Sequence, residues 1–297
     1  MAGGWYKAHG LGNDYLVFEQ GDGWRADPAA IARVCHRAEG VGSDGIVVVL
    51  PEPIGKPVPL RMFNPDGSEF ERSGNGLRVL AAYLHFRGRV GENPFEVESG
   101  GDRIRMQVHG REPAGRYDIE VEMGRARVGP AAVALDPAAL DGQGRISDPD
   151  LGMVPLVPVS VGNPHAVVFA DDLGRPFERA TLDRIGLGLA THPSFAHGTN
   201  VQLVRAAPPD ALDILIWERG VGPTTASGTS ACATAVAAVS RGRLPPGDIE
   251  VRMEGGSFQV RVTADLDVVL RGPVDEVGTG ELSEGFLRAL ADGRGRR

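Results

Sequence analysis

The sequence predicts an α+β protein of two pseudosymmetric domains, each a curved mixed or antiparallel sheet wrapped around one buried central helix. Three observations carry that prediction. The first is an internal repeat. The segments E-R-S-G-N-G-L-R-V-L-A-A-Y-L-H-F-R-G-R (71–89) and T-A-S-G-T-S-A-C-A-T-A-V-A-A-V-S-R-G-R (225–243) align at one constant offset, which pairs Ser73 with Ser227, Gly74 with Gly228 and Arg87-Gly88-Arg89 with Arg241-Gly242-Arg243. The second is that both segments are apolar on nearly every face, the mark of a buried helix rather than a surface one. The third is that short, β-rich runs dominate the remainder. A length of 297 residues fits about two such domains.

The elements follow in order. In the first half 14–19, 45–50, 94–99, 103–109 and 117–123 read as strands, and in the second 154–161, 166–170, 200–205, 213–218, 250–253, 257–263 and 267–271. Phe258-Gln-Val-Arg-Val262 alternates apolar and polar, as a half-buried strand should, and Thr263-Ala-Asp-Leu-Asp267 reads as a hairpin connection. Ser73 and Ser227 read as N-caps, since a serine oxygen accepts from orphan amides of the first turn. Glycine beside arginine suits the far ends. The stretch 136–150 is rich in Pro, Gly and Asp without periodicity and reads as a surface loop. The domain change is expected near 123–129, giving domains of 1–125 plus about 278–297, and of 126–277. The cleft between them would then receive both helix N-termini, a common place for a small-molecule site.

Composition narrows the function classes. A net charge of −8 argues against nucleic acid as a partner. No apolar stretch reaches membrane-spanning length, and the N-terminus lacks a signal-peptide pattern. Two cysteines, Cys35 and Cys232, argue for a reducing cytoplasm and against a disulfide framework. The basic end at 294–297 reads as a frayed tail. The histidines are scattered with no metal-ligand spacing, and no phosphate-loop pattern occurs, so neither a metal nor another cofactor is expected.

A second set of residues gathers around the two helix starts. His9-Gly-Leu-Gly-Asn-Asp14 has a loose echo in Val161-Gly-Asn-Pro-His165. Phe63-Asn-Pro-Asp-Gly-Ser68 leads into the first helix and Trp217-Glu-Arg-Gly220 into the second, while Gly198-Thr-Asn200 precedes a strand. Each alone is a turn sequence that any fold could carry. Together they supply amides, an arginine, a histidine and a carboxylate, a kit suited to a zwitterionic amino acid. Asn oxygens and Glu218 can take an ammonium, and Arg219 and helix amides can take carboxylates.

With these residues in view the chain resembles the diaminopimelate epimerase family of cofactor-independent amino-acid racemases and epimerases. H-G-L-G-N-D-Y, G-V-G-S-D-G, F-N-P-D-G-S, S-G-N-G-x-R, G-N-P-H, G-T-N-V and E-R-G-V-G-x-T occur in family order from His9 to Ala233. The resemblance implies two similar domains closing on the substrate, with one acid/base group at each central helix. One removes the α-proton and the other returns a proton to the opposite face. It implies substrate contacts at Asn13, Asn64, Asn75, Asn163, Asn200, Glu218 and Arg219, and backbone amides of Gly74, Gly228 and Thr229 for the α-carboxylate. His165 and Glu218 would flank the acid/base positions. The best substrate guess by resemblance is LL- and meso-diaminopimelate, on the route to lysine and peptidoglycan precursors. Family members often pair as homodimers, though nothing in the sequence decides oligomeric state.

The chain departs from the pattern where the family carries its catalytic thiols, at Ser73 and Ser227. Cys232 lies more than one helical turn inward of Ser227 and is a poor substitute. A thiol ionises near pH 8.5 and lower at a helix N-terminus, whereas a serine hydroxyl needs an activating neighbour. Three readings stay open. One is an inert double Cys→Ser form of an epimerase. Another is a member that runs a related isomerisation or dehydration on one face, with His165, Glu218 or water moving protons. The third is a non-catalytic amino-acid binder. Gly45 follows Asp44 where some members carry Gln, so the distal end of the substrate could be read differently.

Overall fold

The computed structural model describes residues 3–21, 25–51, 56–70, 72–148, 152–207 and 209–292. The chain divides into two compact units, Met1–Glu122 with Gly272–Arg297, and Met123–Arg271. Among the described residues the α-helices are α1 (Pro28–Cys35), α2 (Gly74–Phe86), α3 (Ala170–Leu173), α4 (Arg179–Ala190), α5 (Gly228–Ser240) and α6 (Glu284–Ala291).

In the first unit, Gly4–Gly10 and Asn13–Glu19 form a hairpin. Its two central residues, Leu11 and Gly12, have φ of 53° and 93°, the double positive φ of the turn that matches strand twist. Asn13–Glu19 pairs parallel with Ile46–Val49, and Val58–Phe63 pairs parallel with Phe95–Ser99. Ile46–Val49 is buried along its whole length, as a strand covered on both faces must be. One cover is α2, whose residues are buried from Gly74 to Leu84. The other is a layer of α1 and α6, where Ile31, Val34 and Leu290 close a core over Leu16, Phe18, Ile46 and Val48.

The second unit repeats the plan. Pro164–Phe169 pairs parallel with Asn200–Ala207, and Ala211–Glu218 parallel with Gly247–Met253. Here α5, buried from Ser230 to Ala238, takes the place of α2. On the other face Leu182, Ile185 and Leu189 of α4 pack on Val201, Leu203 and Leu215. The helix ends match bond for bond. Leu77 N donates to Ser73 O at 2.9 Å and Ala231 N to Ser227 O at 3.0 Å, while Arg89 N reaches Leu84 O and Arg243 N reaches Ala238 O, both at 2.9 Å. Gly88 and Gly242 close the helices at φ of 65° and 66°, the left-handed C-cap that glycine adopts without a steric penalty.

Several expectations are corrected. The run 154–161 is two strands, Gly152–Pro155 and Val157–Ser160, and the first belongs to a separate ribbon with Arg145–Asp148. The stretch 136–150 is therefore not all loop: Pro137–Ala139 forms a 3-10 turn and Arg145–Asp148 a strand, with 149–150 outside the described residues. Ala170 leaves its strand to begin α3, and the last strand runs well past Arg271, as Asp267–Glu281. Gly4–Gly10, Val58–Phe63, α1, α4 and α6 were not foreseen. The Asp27 cap on Ala30 N (3.0 Å) and Pro28 behind it were the legible signal for α1. In α4, Gly186 and Gly188 dilute the pattern, and Gly186 is needed because a Cβ there would lie 2.6 Å from the Trp217 ring. The basic end at 294–297 lies outside the described residues. Cys35 and Cys232 are buried and are not joined in a disulfide. No described helix is long and apolar enough to cross a membrane.

Candidate active site

Each unit sets a serine cap at the N-terminus of its central helix. In the first, Ser73 is extended (φ −134°, ψ 121°) and caps α2. Its Oγ accepts from Gly76 N at 3.1 Å and from the Tyr15 hydroxyl at 3.2 Å. The Gly74 and Asn75 amides point out of the helix end with no carbonyl of the same helix behind them, a natural seat for a carboxylate.

The side chain of Asn75 is engaged elsewhere. Its Nδ2 donates to Asn13 O at 2.6 Å and to Asn13 Oδ1 at 2.9 Å, and its Oδ1 accepts from the fully buried Arg78 at 2.9 Å. Both amide protons are thus used within the protein, which leaves the Asn75 backbone N–H as its donor for a ligand. Asn13 in turn donates to Asp44 at 3.0 Å. Arg37 bridges Asp44 and Asp14 at 2.7 and 2.8 Å, and Lys7 meets Asp14 at 2.8 Å. Burial pushes the Asp14 carboxyl up, but Arg37 and Lys7 outweigh it and hold the group below its usual range. The hairpin turn at Leu11-Gly12 is thereby tied to the helix start. Asn64 is exposed and its amide donates to Ser68 at 3.0 Å, within its own turn.

Gly10 explains itself at this point. A Cβ there would lie 2.1 Å from Asn75 Oδ1 and 2.7 Å from Arg78. Gly10→Ala is expected to push Asn75 off Asn13 and to lower stability by about 1–3 kcal/mol, as overpacking does. Urea unfolding checks this, and an unchanged midpoint and slope would contradict it.

In the second unit Ser227 is extended in the same way (φ −155°, ψ 122°). Its Oγ lies 3.4 Å from Ser230 N and 3.5 Å from Thr229 Oγ1. Thr229 Oγ1 also accepts from Asn163 Nδ2 at 3.5 Å, and Asn163 Oδ1 lies 2.9 Å from His165 Nε2. Behind the ring, Gln202 Nε2 reaches His165 Nδ1 and Ser230 Oγ, both at 3.0 Å. An amide oxygen can only accept and an amide nitrogen only donate, so His165 carries its proton on Nε2. His165, Gln202 and Ser230 are completely buried. A chain of polar groups therefore runs from Gln202 through His165, Asn163 and Thr229 to Ser227.

Burial drives the His165 pKa from 6.5 down to about 3, and the Arg219 charge works in the same direction. The ring is neutral at physiological pH. Its folded-state pKa lies below its unfolded value, so the unfolded chain binds the extra proton first. The contribution to stability is complete above pH 6.5 and is lost as pH falls toward 3. Urea midpoints are expected to drop steadily from pH 6.5 to 4, and a His165→Gln variant to lose that component. A His165→Gln profile parallel to the parent's would contradict it.

Asn200 ties the remaining pieces. Its Nδ2 donates to Pro164 O at 3.0 Å and its Oδ1 accepts from Arg219 N at 2.9 Å. The Arg219 guanidinium, on an exposed turn, donates to His197 O. Glu218 ends its strand half-buried, its carbonyl accepting from Val221 N at 3.2 Å. Tyr15, Gln202 and Ser230 were not singled out by the sequence. Tyr15 stood in plain view as the last letter of H-G-L-G-N-D-Y, and Gln202 as the one polar residue in the apolar run Val201–Val204. Both signals became specific only when their partners were placed.

The family description "Diaminopimelate epimerase" matches residues 5–129 and 157–277. The diaminopimelate epimerase of Desulforudis audaxviator is 39% identical over 278 residues, 93% of this chain and 97% of the relative. That of Desulfitobacterium hafniense is 36% identical over 288 residues, 95% and 98%. Among solved structures, a hydroxyproline epimerase from Agrobacterium vitis with bound trans-4-hydroxy-L-proline shares the fold at a TM-score of 0.69 and 16% identity, over 95% of this chain and 92% of that one. A predicted epimerase from Pseudomonas aeruginosa shares it at 0.64 and 20%, over 95% and 99%. The chain belongs to the diaminopimelate epimerase family.

Proposed function

We propose that this member of the diaminopimelate epimerase family inverts the α-carbon of an amino acid without pyridoxal phosphate, converting LL- to meso-diaminopimelate. The observation that carries the reading is the doubled helix entrance: two serine-capped N-termini with matching bonds at both ends, each set against its own asparagine cluster. Ser73 and Ser227 hold the proton-transfer positions, one for each face of the carbon. The Gly74, Asn75, Gly228 and Thr229 amides receive the α-carboxylate, where the helix dipole also favours negative charge. Removing an α-proton moves charge into that carboxylate, so amides fixed before the reaction stabilise the transition state more than the ground state. Asn13 and Asn200 hold turns as well as offering polar contacts, and Asn64, Glu218 and Arg219 supply the remaining ones.

The part given to His165 is positional. Neutral and sealed, it fixes Asn163, which meets the Thr229 hydroxyl beside Ser227. In this reading the protein works in the cytoplasm as a homodimer and feeds lysine and peptidoglycan precursor synthesis. Proton NMR in D2O with LL-diaminopimelate tests the activity. Loss of the α-proton signal with growth of the meso isomer is expected, and Ser73→Ala or Ser227→Ala should each abolish the conversion. Full conversion by either alanine variant would refute two-face chemistry.

A further inference from the structure

The hydroxyls of Ser73 and Ser227 are not equivalent. Ser227 Oγ has longer approaches, 3.4 Å to an amide and 3.5 Å to a threonine hydroxyl. Ser73 Oγ accepts at 3.1 Å from Gly76 N and at 3.2 Å from the phenol of Tyr15. Two donors occupy the two acceptor sites of a serine oxygen and leave its own O–H to donate outward. If that proton leaves, the same two donors face an oxyanion at a helix N-terminus, where charge-assisted bonds are about twice as strong as neutral ones.

The placement of Tyr15 is built. The residue is only 6% exposed. A Cβ on Gly45 would lie 2.4 Å from its Cε1, and one on Gly76 would lie 3.0 Å from the same atom. A side chain at Gly45 would push the phenol off Ser73, and one at Gly76 would crowd it. The Gly45 wall is itself fixed, because its carbonyl accepts from Leu16 N at 3.1 Å and from the buried Ser43 hydroxyl at 2.9 Å.

We propose that Tyr15 is a positioning residue for proton transfer at Ser73: clamped between Gly45 and Gly76, its O–H stabilises the Ser73 oxyanion and aims the Ser73 proton at the substrate. The inference rests on the epimerase reading above. Ser73 first gives its own proton to solvent; its oxyanion then takes the α-proton, so that an O–H bond forms and the Cα–H bond breaks, and the electron pair left on the substrate takes a proton from the Ser227 O–H on the opposite face. In the reverse direction the Ser73 O–H gives that proton to the substrate carbanion, and Tyr15 keeps its own throughout. The face served by Ser73 is thus better supplied than the face served by Ser227.

A thiol probe separates this role from packing. Ser73→Cys is prepared with and without Tyr15→Phe, which removes one oxygen and keeps the ring, and iodoacetamide alkylation is followed against pH. Cys35 and Cys232 are buried, so the introduced thiol dominates the reaction. The rate at pH 7 is expected to fall about 5-fold on Tyr15→Phe, with the profile moved to higher pH. A thiol introduced by Ser227→Cys serves as control and should change by less than about 2-fold, within the scatter of a distant, independent site. Equal rates at position 73 with and without the phenol, or equal slowing at both positions, overturn the proposal. Absence of α-proton exchange from diaminopimelate, even in the double Ser73→Cys, Ser227→Cys form, sinks the epimerase reading instead, whatever the thiol rates show.

Discussion

Ser73→Cys combined with Ser227→Cys is expected to raise the rate of diaminopimelate epimerisation by about 10³-fold or more, or ~4 kcal/mol off the barrier. The reason lies in the helix ends rather than in any new contact. A thiol ionises near pH 8.5, and a helix N-terminus lowers that further, so a useful fraction is thiolate at neutral pH. A serine hydroxyl in the same cap is a far weaker acid and depends on neighbours such as the Tyr15 phenol. The substitution exchanges one atom at each N-cap and leaves the extended backbone of both caps unchanged. Each single variant should fall well short of the pair, because inversion needs a base on one face and an acid on the other. Initial rates of meso-isomer formation, measured for the four proteins side by side, check this. A double variant no faster than its parent would show that the site was never organised for epimerisation.

Asn75→Leu is expected to be among the most damaging single changes in the first unit, at about 3 kcal/mol. That figure follows from breaking a buried, charge-assisted bond and leaving buried partners unsatisfied. Asn75 joins three groups: the Asn13 carbonyl and side chain, and the buried Arg78 guanidinium one turn along α2. Leucine keeps the branched outline of asparagine and supplies neither donor nor acceptor. The turn at Leu11-Gly12, with its two positive φ angles, would lose the tie that opposes its strain. Calorimetry should show a melting temperature lowered on the order of 10 °C. A drop of only a degree or two would mean that Asn75 is held by the site rather than holding it.

Much of this was legible in the sequence, and the reason differs from element to element. The helix repeat could be read because its ends and its burial depend on local chemistry: Ser73 and Ser227 as caps, Gly88 and Gly242 at positive φ, apolar residues between them. The strand Ile46–Val49 could be read because a doubly covered strand is a continuous apolar run. The break at Leu156 could not, since residues on both sides are strand formers and the partner of the first piece, Arg145–Asp148, lay in a stretch that looked like loop. Nor could α4, whose two glycines are justified by what packs against them, such as Trp217 over Gly186.

The candidate site divides along the same line. The asparagines, the glycine amides and Arg219 sit in turn motifs that announce themselves by composition. What the sequence did not reveal is how those side chains are committed. Asn75 uses its amide on Asn13 and Arg78, Asn200 on Pro164 and Arg219, and His165 is a sealed neutral link rather than an exposed proton carrier. Such commitments depend on partners that are remote along the chain, as with Tyr15 and Ser73.

The most direct test of the central claim follows deuterium during the first turnovers of LL-diaminopimelate in D2O. Two groups acting on opposite faces predict a meso product that carries solvent deuterium at its inverted carbon from the outset, while unreacted LL substrate still holds its α-proton. Product that retains the original α-proton, or substrate that exchanges with no inversion at all, would contradict the assignment of Ser73 and Ser227 to two faces of one carbon.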